Sequence, residues 1–153
     1  MLNGEGLRTV LWVAGCSHHC PQCHNTVTWD INGGLVFDEQ AKEELFEELK
    51  KDYVSGVTFS GGDPFHLENR EEIGALAKEI REKFPDKTIW LYTGYEWEEI
   101  CHLSFLSNID VIVDGKFKIE EKDNNLHWKG SANQRVIDVK ASLRAGEVRL
   151  YQE

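Results

Sequence analysis

Val10-Leu11-Trp12-Val13-Ala14, followed after one glycine by Cys16-Ser17-His18-His19-Cys20-Pro21-Gln22-Cys23, is the stretch from which the fold is read. An uninterrupted apolar run is what a strand covered on both faces of a parallel sheet requires. Similar runs recur at Val57-Thr58-Phe59, Thr88-Ile89-Trp90-Leu91-Tyr92, Val111-Ile112-Val113, Val136-Ile137-Asp138-Val139 and Val148-Arg149-Leu150-Tyr151. Helical patterns separate the early ones. Phe37, Ala41, Leu45, Phe46, Leu49 and Tyr53 share one face, with Asp38 placed as N-cap. Ile73, Leu76, Ala77, Ile80 and Phe84 share another before Pro85 stops the helix. A shorter helix carries Trp97, Ile100 and Cys101, with Glu96, Glu98 and Glu99 at its start, where the macrodipole favours acids.

Strand–helix alternation predicts an α/β fold with right-handed crossovers and functional loops at the carboxyl ends of the strands. A closed eight-fold barrel takes ~250 residues. The 153 residues here suit a shortened, laterally open partial (β/α) barrel of about five or six mostly parallel strands, forming a single domain over 1–153. Lys116 to Gln134 lacks periodicity and is predicted to be a long loop, and the stretch from Lys116 to Arg135 is expected to order when a protein partner docks.

The formal charge of -10 and the scattered basic residues argue against a nucleic-acid surface. No run approaches membrane-spanning length. Val13-Ala14-Gly15-Cys16 imitates a lipoprotein processing site. The apolar stretch after Arg8 falls short of the ~7–15 residues of a secretory leader, and Glu5 spoils its basic start. A cytoplasmic protein is expected, in a compartment that keeps thiols free for metal.

Three thiolates on one short loop can hold three corners of a cubane iron–sulfur cluster. The only other cysteine, Cys101, falls in a helical pattern and reads as a buried helix residue. One metal position is thus left open, as in catalytic centres. The alternative is a structural zinc site using Cys16, Cys20, Cys23 and one of His18, His19, His24, His102 or His127. Zinc modules usually present two separated ligand pairs, and this chain has one clump. Ser60-Gly61-Gly62-Asp63-Pro64 follows the second strand. Its glycines let backbone approach a ligand, and Asp63 with backbone carbonyls could accept from an ammonium group. The same residues also suit an ordinary turn.

Together, the Cys-x₃-Cys-x₂-Cys loop after the first strand and Gly61-Gly62-Asp63 after the second resemble the radical S-adenosylmethionine (SAM) superfamily. The resemblance implies that Cys16, Cys20 and Cys23 bind three irons of a 4Fe-4S cluster and that SAM chelates the fourth. It also implies a partial barrel of the radical SAM type. By position, Ser60, Gly61, Gly62 and Asp63 meet the SAM amino group, and Gln22, Cys23 and His24 run past the adenine. Gln22 departs from the aromatic or apolar residue common there, which affects adenine stacking and not ligation. His18, His19 and His24 then serve as loop packing or as hydrogen-bonding groups behind the metal.

Further motifs resemble the subfamily that activates anaerobic ribonucleoside-triphosphate reductase. They are Cys23-His24-Asn25, Thr28-Trp29, Tyr92-Thr93-Gly94-Tyr95, Asp114-Gly115-Lys116-Phe117 and Gly130-Ser131-Ala132-Asn133-Gln134-Arg135. The likeness covers nearly the whole chain. It implies that Asp114 and Lys116 approach the SAM carboxylate, with Thr93 on the neighbouring strand end; a turn at Asp114-Gly115 and a surface charge at Lys116 are the plainer readings.

By the same resemblance, an external one-electron reductant such as flavodoxin or ferredoxin places one electron on the cluster, which passes it to the SAM sulfonium. SAM is then cleaved to methionine and a 5′-deoxyadenosyl radical, which takes an α-hydrogen from a glycine of the reductase. No acid–base pair is required, and the open barrel side admits a polypeptide. Two rivals share the cysteine loop: a radical SAM enzyme acting on a small molecule such as a deazapurine precursor, and a zinc-stabilised interaction module without catalysis.

Overall fold

A computed structural model describes residues 4–13, 39–61, 63–66, 69–123 and 128–151. The cysteine loop with Gln22 and His24, the helix-start residues Phe37 and Asp38, and Gly62 lie outside them. Five strands form one sheet in chain order: β1 (Arg8–Val13), β2 (Gly56–Gly61), β3 (Thr88–Tyr92), β4 (Val111–Asp114) and β5 (Arg135–Asp138). The first four are parallel and β5 runs antiparallel to β4. Helices α1 (Glu39–Leu49), α2 (Arg70–Lys83), α3 (Trp97–Ile100) and α4 (Val139–Ala145) connect or follow them.

Side chains alternate across the sheet, and the two faces bury different chemistry. Val57, Phe59, Ile89, Leu91, Ile112 and Ile137 pack with Leu45 and Leu49 of α1 and with Ile73, Leu76, Ala77 and Ile80 of α2. The opposite face carries Trp90, Val111, Val113 and Trp128, flanked by Tyr92, Val136 and Tyr151. Trp90 meets Trp128 and Tyr151 edge-on at 5.0 and 5.2 Å between centroids. Trp128 holds a left-handed backbone, with φ of 67°, a conformation costing roughly 1–2 kcal/mol in an L-residue. Its ring contacts and the Tyr92 hydroxyl, donating to its carbonyl at 2.5 Å, hold it there. Burial pushes the Tyr92 phenol above its usual range, so it stays a donor.

At the amino ends of the strands, Arg8 lies under the sheet and ties three strands together. Its Nε donates to Thr58 Oγ1, its Nη1 to Glu5 O and Thr88 Oγ1, and its Nη2 to Val57 O and Thr88 O. Burial lowers its pKa to about 10, which leaves it cationic at neutral pH, 5.6 Å over the Trp90 ring. The Tyr151 hydroxyl donates to the Glu5 carboxylate, which pushes the phenol up to about 12.

Several expectations need correction. Tyr53 does not continue the buried face of α1: the helix ends at Leu49, the chain turns, and Tyr53 is 63% exposed. Cys101 is not a buried helix residue; it is the exposed C-cap of α3, its thiol 3.9 Å from Glu98 O. Val139 opens α4 and is not the end of a strand, because the Asp138 side chain accepts from Ala141 N at 3.0 Å and caps a helix. Val148 to Tyr151 forms no strand, only a bridge between Leu150 and Ile137. The segment from Lys116 carries a short 3-10 turn (Ile119–Glu121) and a bridge from Lys122 to Ser131.

Gly56 leaves no room for a side chain: a Cβ there would sit 2.0 Å from the Thr88 carbonyl oxygen. Gly56→Ala should destabilise by about 3 kcal/mol, the upper part of the overpacking range, whereas Tyr53→Ala should stay within about 0.5 kcal/mol. Urea denaturation at constant m-value checks both.

Candidate functional site

The carboxyl ends of β2, β3 and β4 gather the motif residues of the described part. β2 reaches Gly61, but its ladder with β3 stops at Phe59 and Leu91, so Ser60 and Gly61 extend beyond the last rung. Asp63 follows, 1% exposed. Its Oδ1 accepts from Thr93 Oγ1 at 2.7 Å and Phe65 N at 2.9 Å, and its Oδ2 accepts from Gly94 N at 2.9 Å. The carboxylate thus brackets the end of β2 to the end of β3. A buried charge needs such donors. Thr93, 5% exposed, completes the bracket: its Oγ1 accepts from Tyr95 N at 3.2 Å and its backbone N–H donates to Val113 O at 3.0 Å.

Asp114 ends β4 with a side chain that is 1% exposed. Arg135, the first residue of β5, grips it with Nε at 3.1 Å and Nη2 at 2.5 Å. Trp97 N, at the start of α3, donates to the same carboxylate at 2.8 Å. Arg135 also meets Glu98 at 2.8 Å. Its guanidinium is pushed above its ordinary range, first by the hydrogen bond to Asp114 and then by that to Glu98. The reciprocal hydrogen bond holds the Glu98 carboxyl below its usual value of 4.5. Gly115, at φ of 93°, turns the chain from buried Asp114 to exposed Lys116.

The structure therefore brings Ser60, Gly61, Asp63, Thr93, Asp114 and Lys116 to one end of the sheet. Asp63 and Asp114 are turned inward as brackets, and Lys116 is exposed there. Arg135, Gln134 and Asn133 join this end through side-chain contacts to Asp114, Gly115 and Lys116. Their motif was visible in the sequence but carried no assigned role. A cavity of ≈ 1120 Å³ opens at the other end, among Glu5, Ser55, Thr88, Asp110 and Tyr151, and takes in no motif residue.

The family model described as "4Fe-4S single cluster domain" matches residues 2–137. An anaerobic ribonucleoside-triphosphate reductase-activating protein of Enterobacteria phage T4 is 44% identical over 135 residues, covering 88% of this chain and 86% of that protein. The chain belongs to the family of anaerobic ribonucleoside-triphosphate reductase-activating proteins. Members from Haemophilus influenzae and Escherichia coli are 40% and 39% identical over 140 residues, each covering 89% of this chain and 90% and 91% of theirs. No solved structure matches the chain. The span matched as a 4Fe-4S domain in this activating-protein family member includes Cys16, Cys20 and Cys23.

Arg135→Met would leave the Asp114 charge buried and unpaired, at a cost of about 3 kcal/mol. Adding Asp114→Asn should recover part of it, and chemical denaturation of the single and double variants measures the recovery. Glu98, depressed in the folded state, adds stability above about pH 4.5 and loses it as pH falls through the folded value. Glu98→Gln should therefore lower stability slightly near pH 7 and leave it unchanged near pH 2, with the difference kept small by solvent exposure. Denaturation curves at the two pH values read the effect.

Proposed function

We propose that this chain is an activase for an anaerobic ribonucleoside-triphosphate reductase, reductively cleaving SAM and generating a glycyl radical on that protein. The observation that carries the reading is a trio of cysteines, Cys16, Cys20 and Cys23, inside a span matched as a single-cluster 4Fe-4S domain. The donor set fits such a cluster: thiolates are its ordinary ligands, and three of them leave one iron for SAM. Cys16, Cys20 and Cys23 would hold the cluster, which would supply the one-electron reduction needed to cleave SAM and so the hydrogen-abstracting radical for a glycine Cα.

This chain's residues then bind and orient. Asp63 already accepts from Thr93, Gly94 and Phe65. Ser60 and Gly61, still paired with β1 but past the last rung with β3, would then offer backbone carbonyls to the SAM ammonium, together with Gly62. Thr93 acts by fixing Asp63, and Gln22, Cys23 and His24 pass the adenine. Asp114 sets the turn from which Lys116 meets the SAM carboxylate. The sheet runs from β1 at one end to β5 at the other, an order compatible with a partial barrel of the radical SAM type whose open side admits the reductase. The docked protein would exclude water from the radical. An external reductant such as flavodoxin or ferredoxin supplies the electron, and the working compartment is the cytoplasm. Among the described residues no helix is long and apolar enough to cross a membrane.

Anaerobic, reduced protein mixed with SAM and the reductase should give a glycyl-radical doublet by electron paramagnetic resonance. Cys20→Ala should lower the iron content and abolish the doublet. SAM cleavage without a protein radical would favour a small-molecule substrate, and colourless protein with stoichiometric zinc would sink the reading.

A further inference from the structure

Asn133-Gln134-Arg135 has no part in the chemistry above, yet it contacts Asp114-Gly115-Lys116 residue for residue. Arg135 holds the Asp114 carboxylate, Gln134 Nε2 donates to Gly115 O at 3.0 Å, and Asn133 Nδ2 donates to Lys116 O at 2.8 Å. The matching continues the antiparallel register in which Asp114 faces Arg135. Beyond that pair the ladder ends and side chains take over from backbone.

The far ends of these side chains are also fixed. Gln134 Oε1 accepts from Gly130 N at 2.9 Å and Ser131 N at 3.1 Å. Asn133 Oδ1 accepts from Ser131 Oγ at 2.6 Å, and that hydroxyl oxygen accepts from Lys118 N at 3.2 Å. The carbonyls on both sides of the Lys116 Cα are therefore pinned. The Lys116 ammonium is exposed and has no ion pair among the described residues, while Asp63 and Asp114 are held inside by other donors. A lysine head is a point charge on a flexible stem. Anchoring its base lowers the ordering cost of using it on an anion.

We propose that Asn133, Gln134 and Arg135 form a positioning clamp that holds Lys116 to receive the carboxylate of SAM. The clamp rests on the reading that Lys116 meets that carboxylate. It acts through backbone and makes no contact with the ligand.

The test uses anaerobically reconstituted protein with its cluster oxidised, so that SAM binds without turnover. Equilibrium dialysis gives Kd for SAM and for decarboxylated SAM. Asn133→Ala and, independently, Gln134→Leu should each weaken SAM by about 10-fold, the effect of misplacing one charge-assisted bond. Both should leave the decarboxylated analogue within about twofold and the iron content unchanged. In a Lys116→Met background, neither should weaken SAM further. Equal weakening of both ligands, or additivity with Lys116→Met, would show general support of the fold and overturn the clamp. If Lys116→Met weakens SAM while Asn133→Ala and Gln134→Leu do not, the clamp alone fails. If Lys116→Met leaves SAM affinity intact, the underlying reading of Lys116 fails and takes the clamp with it.

Discussion

A carboxylate that is 1% exposed must have its charge answered from inside the protein, and Asp114 has it answered by Arg135 and by the first amide of α3. Much of the carboxyl end of the sheet follows from that demand. Arg135 can reach Asp114 because β5 is antiparallel and starts where β4 stops. A parallel fifth strand would have placed its first residue at the opposite end. The direction of one edge strand thus brings the residues before β5 beside the turn after β4. The same carboxylate fixes where α3 begins, close to Glu98, the second acid on Arg135.

Asp63 does for β2 and β3 what Asp114 does for β4 and β5. Both are acidic residues at strand ends, both are buried, and both spend their oxygens on the protein. Acids placed this way join strand ends while keeping their own charge away from the surface. Asp63 and Asp114 are sequestered in this way, and Lys116 is left outward at the same end of the sheet.

Much of the fold was legible because strands covered on both faces leave continuous apolar runs, and β1 to β4 do so. The buried face of α2 follows its periodicity closely. Tyr53 misled because helical spacing persists in the sequence after the chain has left the helix at Leu49. Val139 misled because a strand pattern runs straight into a capped helix at Asp138. The direction of β5 is set by long-range pairing and leaves no local trace. The site was legible as motifs at strand ends, but the inward turn of Asp63 and Asp114 depends on Thr93 and Arg135, which are distant in sequence. Pairs such as Asn133 with Lys116 emerge only from the register.

Arg8 makes the amino ends of three strands interdependent through one side chain, with Gly56 leaving no spare room beside it. Sequence drift should be least tolerated there, since a replacement disturbs several strand starts at once. At the carboxyl ends the coupling is divided: Asp63 joins the ends of β2 and β3, and Asp114 joins β4, β5 and the start of α3. One guanidinium thus makes the start of the sheet a single mechanical unit.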